Sequence, residues 1–309
     1  MAKTRDIRRR IQSVRNIHKI TRTMEKVAQS KGMKLTGRFD RAREFRRDVA
    51  ALLPEALGAG LATPEAAQEL ASHPLGDARA KPQKVLLFCV TSSRGLCGGY
   101  NARVIQAAKN RMEELRRDGR EPLLAVMGRK GLAYFRYHGQ PVLVPVPDVD
   151  ENIPFSRIDE VAGQIGDGFS ARDFDEVQIV STRWKSRASQ DVRIQAMLPL
   201  VPSLATAALG GGPAEPTPGP GGRPLYLVEP DRRHVRDAVL PLLLRAELFC
   251  AVLEAMLCEQ AQRSAAMRNA SDNADSMTKR LTRRYNRARQ AQITNEMIEI
   301  ISGSEGGRT

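Results

Sequence analysis

The first fifty residues repeat their apolar positions every three or four residues, and that spacing limits the fold more than any other feature of the chain. Ile7, Ile11, Val14, Ile17, Ile20, Met24 and Val27, then Leu35, Phe39, Ala42, Phe45, Val49 and Leu52, follow one another with one polar interruption at Lys31. Their mean period is about 3.5 residues, the heptad value that winds two helices into a left-handed supercoil. Gly32 and Gly37 each cost a helix ~1 kcal/mol against Ala without stopping it, and Pro54 followed by Gly58 and Gly60 marks its end. The pattern predicts a coiled-coil helix over residues 1–55, about 70 Å long from Asp6 to Leu53.

A partner for that helix lies at the other end of the chain. From Leu242, the positions Ala246, Phe249, Leu253, Met256, Gln260, Ser264, Met267, Ala270, Ala274, Met277, Leu281, Arg284, Ala288, Ala291, Asn295 and Ile298 keep the same spacing, with no glycine or proline before Gly303. A helix of roughly 60 residues is far beyond the usual three turns, so it is expected to run past whatever it packs on. Its seam is small and partly polar, with Ser264, Ala270 and Ala274 where a permanent zipper would place Leu or Ile. Small residues let two helices approach closely and keep the pair slim.

Between the helices the pattern becomes α/β. KVLLFCV reads as a buried strand, Asn101 to Arg117 as an amphipathic helix, PLLAVM as a strand, Arg129 to His138 as a helix and PVLVPV as a third strand. A helix near Ile158 to Phe169 and the strands EVQIVSTRW and DVRIQAMLPLV follow. Such alternation predicts a mostly parallel sheet with Rossmann-like winding over residues 84–205. Residues 56–83 read as an Ala/Gly/Pro-rich linker, 206–224 as a Pro/Gly-rich loop, and 225–309 as a strand leading into the long closing helix.

Charge and composition exclude several classes. The net charge of +14 is concentrated in residues 1–50, where 16 Lys and Arg face 5 Asp and Glu. A basic helix of this kind meets phosphates, anionic lipid or an acidic protein surface, and charge alone leaves the three open. Apolar runs such as VLLFCV are far shorter than the ~20 residues of a membrane helix, and no charged-then-apolar leader opens the sequence, so the reading is a soluble, cytoplasm-facing protein. Cys89, Cys97, Cys250 and Cys258 lack CxxC spacing and read as small buried hydrophobes; His18, His73, His138 and His234 are scattered, so no metal is expected.

An enzyme is the natural rival for a Rossmann-like domain. The loop Ser92-Ser93-Arg94-Gly95-Leu96-Cys97-Gly98-Gly99 follows the first strand, where dinucleotides bind. Its spacing is not GxGxxG, no GxxxxGK[ST] occurs, and a turn with a packing role is the better reading. Asp148, Asp150 and Glu151 share a loop and read as solvated, so no catalytic constellation stands out. A nucleic-acid-binding coiled coil, the second rival, would use the basic first helix, yet that helix carries no recognised reader module.

Three stretches carry a specific resemblance. DIRRRIQSVRNIHKITRTMEKVAQSK, TSSRGLCGGYN and MRNASDNADSMTKRLTRRYNRARQAQITNEMIEIISG resemble, in order and spacing, the best-marked segments of F-type ATP synthase gamma subunits of the bacterial type, and with LYLVEPDRRHVRDAVLP the likeness spans nearly the whole chain. Ser93 and Ser304 depart from the family's usual Asp and Ala. The resemblance implies an antiparallel coiled coil standing inside a ring of three alpha and three beta subunits, with the α/β domain against epsilon and the ring of c subunits. It implies a rotor that couples transmembrane ion flow to ATP synthesis at the cytoplasmic face of the bacterial membrane. No active site, cofactor, nucleic acid or membrane insertion of its own is implied. Arg289 and Gln290 resemble positions that hydrogen-bond a catch loop of beta, and Arg94 a second such contact. Met24 resembles a position facing an acidic beta lever, and Thr294 and Glu299 resemble its partners on the other helix.

Overall fold

The computed structural model describes residues 2–58, 63–201 and 228–306, with side chains described to residue 298. Two long helices bracket the chain: α1 (Ala2–Ala51) and α7 (Arg232–Gly306). Between them lie α2 (Leu53–Leu57), α3 (Pro64–Ala71), a 3-10 turn (Pro74–Gly76), β1 (Lys84–Val90), α4 (Tyr100–Arg117), β2 (Glu121–Met127), α5 (Arg129–Tyr137), β3 (Val144–Val146), α6 (Phe155–Ser170), β4 (Glu176–Trp184) and β5 (Gln190–Leu198). Contacts divide the chain into one unit of residues 1–30 and 263–309 and another of residues 31–262.

In residues 31–262 a five-stranded sheet runs β3-β2-β1-β4-β5. β1 pairs in parallel with β2 and β4, and β2 with β3; only β4 and β5 are antiparallel. The order turns back between β1 and β4, which makes that pair the topological switch point of a Rossmann-like winding. Strand β1 alternates between two cores: Leu86, Phe88 and Val90 join one with Leu35, Phe39, Ile165 and Leu253, while Val85, Leu87 and Cys89 join another with Val104, Met112 and Phe135. Burial on both faces explains why β1 reads as a continuous apolar run. α7 lies in the first core along residues 239–257, with Leu240, Leu248, Val252 and Leu253 fully buried.

The stretch read as a linker holds more order than expected. Thr63 caps α3 by accepting from the Ala66 amide, Pro64 occupies the first turn where no donor is needed, and Ala66, Leu70 and Leu75 are buried. Short, Ala-rich helices leave a weak periodic signal, which is why the sequence did not show them. The Pro/Gly-rich loop and most of the strand expected after it lie outside the described residues.

In residues 1–30 and 263–309 the helices pair antiparallel, and their register can be read from side-chain contacts. Thr4 donates to Gln292 Oε1 at 3.1 Å, Val14 shares a groove with Leu281, and His18 acts electrostatically on Asp275. A continuous series of buried and half-buried positions runs Ile11, Val14, His18, Thr21, Glu25 and Ala28 on α1, and Met267, Ser271, Ala274, Thr278, Leu281, Tyr285, Ala288 and Gln292 on α7, where Ala270 and Thr282 beside the series are half-buried as well. Both are unbroken alternations of three and four, as a heptad requires. The expected seam is corrected here. Ile17, Ile20, Met24 and Val27 are 49%, 58%, 40% and 48% exposed, and the seam passes one residue further along, through His18, Thr21, Glu25 and Ala28.

Candidate functional site

The glycine-rich loop after β1 is the place where a dinucleotide would sit, and the chain fills it with its own side chains. Asn101, at the start of α4, accepts from the Ser92 amide at 2.9 Å and donates to Ser92 Oγ at 2.7 Å and Cys97 Sγ at 3.3 Å. Ser92 Oγ in turn donates to the Arg94 carbonyl at 2.6 Å. Ser93 Oγ donates to the Pro147 carbonyl at 3.0 Å and accepts from the Val149 amide at 3.3 Å, tying the loop to the segment after β3. At the end of the neighbouring β2, Gly128 adopts φ +94° and a Cβ there would lie 2.2 Å from the Thr91 carbonyl oxygen. The glycine is required by close backbone approach, not by a phosphate. Among the described residues no group of His, Cys, Asp or Glu could hold a metal ion. Burial pushes the Cys89 and Cys250 thiols up to about 12, which leaves them unreactive thiols in apolar packing.

A second set of polar contacts fastens the lower part of both terminal helices to the α/β body. Lys31, the polar interruption in the heptad, pairs with Glu151. Arg38 donates to the carbonyls of Glu151 and, at 2.6 Å, Ile153. Glu151 is therefore not a solvated loop residue, as its sequence suggested. Burial pushes its carboxyl up, but the Lys31 ammonium outweighs that and holds it below the ordinary value. Asp148 meets Arg129 at 3.0 Å in solvent, and Asp150 accepts from the Asn152 amide at 2.8 Å. On α7, Glu247 pairs with Arg46 of α1 at 3.3 Å, and Glu254 Oε1 accepts from the Trp184 amide at the end of β4 at 2.9 Å. Burial raises both carboxyls above their usual range.

The residues singled out from the sequence divide between the two units. Arg289 and Gln290 are exposed on α7, and the Gln290 carbonyl accepts from Thr294 Oγ1 at 3.0 Å, which places Thr294 one turn on. Met24 is exposed on α1 in the same unit. The register sets Met24 opposite the region of Ser271, so Thr294 lies about 35 Å further along α7 at 1.5 Å per residue. Met24 and Thr294 do not meet. Arg94 belongs to the other unit, exposed in the loop after β1, where its charge helps lower Glu151. Glu299 is helical, with its side chain outside the described set. The fastening residues Lys31, Arg38, Arg46, Glu247 and Glu254 were missed in the sequence. The one available signal was Lys31, the single polar residue interrupting the apolar heptad.

The pinned loop thus occupies the place of a dinucleotide, and the two paired helices carry patterned exposed faces. The chain belongs to the family of ATP synthase gamma chains: the family model described as ATP synthase matches residues 3–306. Among curated relatives, the ATP synthase gamma chain of Geobacter metallireducens is 35% identical, covering 99% of this chain and 99% of the relative. That of Mycolicibacterium vanbaalenii is 34% identical over 98% of this chain and 97% of the relative. Among solved structures, a chain of the Euglena gracilis mitochondrial ATP synthase OSCP/F1/c-ring in rotational state 3 has the same fold, with a TM-score of 0.63 at 21% identity, covering 99% of this chain and 94% of that one. A chain of the rotor of the same enzyme in rotational state 1 gives 0.59 at 21% identity, covering 94% and 99%.

Proposed function

We propose that this chain is the central rotor subunit of an F-type ATP synthase, which couples ion flow across a bacterial membrane to ATP synthesis in neighbouring subunits. The paired helices of residues 1–30 and 263–309 stand inside a ring of three alpha and three beta subunits. The α/β body meets the epsilon subunit and the ring of c subunits at the cytoplasmic face of the membrane, and it is held there through those subunits. None of the described helices is long and apolar enough to cross a membrane.

The observation that carries this reading is the pairing itself. Its seam keeps an unbroken heptad register and places small or hydroxyl side chains at Thr21, Ala28, Ser271, Ala274, Thr278 and Ala288, while four large apolar residues at the same spacing, Ile17, Ile20, Met24 and Val27, stay exposed. A self-sufficient coiled coil buries such residues; one enclosed by other subunits presents them. Because the two helices expose different side chains around their circumference, rotation brings a different face to each beta subunit. Those differential contacts bias each catalytic site among its conformations. Arg289 and Gln290 supply planar hydrogen-bonding groups for a catch loop, where a guanidinium suits a carboxylate. Met24, Thr294, Glu299 and Arg94 are further contacts with beta.

Co-expression with alpha and beta subunits of the same source tests the reading. The expected result is a co-eluting complex with ATPase activity that Arg289→Ala with Gln290→Ala lowers. A chain that elutes alone, or a complex whose activity is indifferent to its presence, refutes it.

A further inference from the structure

The β4–β5 hairpin ends at the sheet edge in an exposed tip, Lys185-Ser186-Arg187-Ala188-Ser189. Its stem is fixed: Thr182 and Arg183 lie opposite Val192 and Asp191 in the antiparallel ladder, and Glu254 of α7 holds the Trp184 amide at 2.9 Å. The tip is closed by backbone bonds in solvent, from the Ser186 amide to the Ser189 carbonyl at 3.0 Å and from the Lys185 amide to the same carbonyl at 3.3 Å. A tip of this kind opens at little cost while the stem stays folded.

One hydroxyl in the tip differs from the other serines outside helices. Ser72, Ser92 and Ser93 donate to the carbonyls of Glu69, Arg94 and Pro147, and Ser181 is buried in β4. Ser186 Oγ accepts from the Ser189 amide at 3.1 Å. Ser189 is exposed, and its own hydroxyl has no hydrogen-bond partner among the described residues. Cations gather ahead of it, with Arg183, Lys185 and Arg187 at every second residue. Lys185 pairs with Asp191, while Arg187 makes no ion pair among the described residues. A free hydroxyl behind a run of cations on an exposed tip is the kind of charge pattern by which kinases select substrates.

We propose that Ser189 is a phosphorylation site for a protein serine kinase with an acidic substrate groove, with ATP as the phosphoryl donor. Ser189 Oγ attacks the γ-phosphorus and forms the new O–P bond. The bond from that phosphorus to the bridging oxygen breaks, its electron pair leaves on ADP, and the hydroxyl proton passes to the catalytic aspartate of the kinase. Lys185, whose amide faces the Ser189 carbonyl across the hairpin, and Arg187 supply charge-assisted hydrogen bonds to the product phosphate. Lys185 and Arg187 outweigh Asp191 by one charge, so a phosphate of about −1.5 to −2 reverses the sign of the tip. The site is independent of the rotor reading.

The test incubates the full chain with Mg-ATP and the catalytic domain of such a kinase, followed by tryptic digestion and mass spectrometry. The expected result is phosphate on peptide 188–193, lost in Ser189→Ala and kept in Ser189→Thr. Arg187→Ala is expected to lower the initial rate of incorporation at least ten-fold. The same peptide, taken from the complex isolated from the cells that make it, is expected to carry phosphate that a phosphatase removes. Phosphate that persists in Ser189→Ala, an unchanged rate in Arg187→Ala, or a cell-derived peptide that is bare in both growing and starved cells overturns the proposal. None of these results bears on the rotor reading, which co-elution with alpha and beta subunits decides.

Discussion

Removing the Arg38 guanidinium tests how firmly α1 is held to the α/β body. Arg38 donates to the carbonyls of Glu151 and Ile153, and Ile153 is 3% exposed, so its carbonyl has no ready access to water once the arginine is gone. A hydrogen bond from a charged donor contributes ~1.5–3 kcal/mol, and Arg38 is itself only half-buried, so two such bonds are discounted to ~2–3 kcal/mol in Arg38→Ala. The neighbouring Lys31 to Glu151 pair remains, which confines the loss to the 150–153 loop and its grip on α1. The loss is expected as local opening, and 2–3 kcal/mol corresponds to roughly 30- to 150-fold faster amide exchange. The Ile153 amide, which donates to the Asp150 carbonyl at 3.1 Å, and the Asn152 amide are the reporters. Exchange followed by mass spectrometry in the assembled complex should show this acceleration in peptides covering 150–156, with about half the free-energy effect in Arg38→Lys. Exchange within three-fold of the parent in Arg38→Ala would mean the two carbonyls are satisfied elsewhere, and the fastening role would fall.

Individual contacts carry three more expectations. Gly128→Ala forces a Cβ to within 2.2 Å of a backbone oxygen at φ +94°, and should cost more than ~3 kcal/mol; an unchanged melting temperature would contradict the close approach. Met24→Lys adds a cation to the exposed stripe of α1 and should lower ATP yield per ion in reconstituted vesicles more than it lowers subunit assembly; an unchanged yield counts against that role. Glu254 has a folded pKa raised by burial above 4.5, so the native state binds more protons than the unfolded chain and stability falls as pH rises from 4.5 through the raised value. Glu254→Gln keeps an acceptor for the Trp184 amide and removes this fall, so its melting temperature relative to the parent should improve between pH 4 and pH 8; parallel curves would refute the assignment.

The length and heptad character of both terminal helices were legible because only a supercoiled helix keeps its apolar positions at a period near 3.5 over so many turns. Which stripe of α1 forms the seam was not legible. Hydrophobicity favoured Ile17, Ile20, Met24 and Val27, yet Thr21 and Ala28 are the buried positions, at 8% and 2% exposure. Two physical facts bear on Thr21. Ala274, which this register sets opposite it, is small and leaves room only at close approach, and Thr21 satisfies its hydroxyl on its own helix, so its burial costs little. The first strand was legible because β1 is covered on both faces and reads as an apolar run. Of the site, the exposed positions Arg289, Gln290 and Met24 came from motif resemblance. Arg38, Arg46, Glu247 and Glu254 did not, because a charged residue on a long helix looks solvated until its partner from another element is known.

Hydroxyl groups along the seam are turned back on their own backbones: Thr21 to the carbonyls of Ile17 and His18, Thr278 to that of Ala274, and Thr282 to that of Thr278. Over this stretch the two strands grip each other mainly through many weak, non-directional dispersion contacts. Such a joint has no single bond to snap when it is wrung. A contact of this kind spreads any twist over many small displacements, none of which forfeits a whole hydrogen bond.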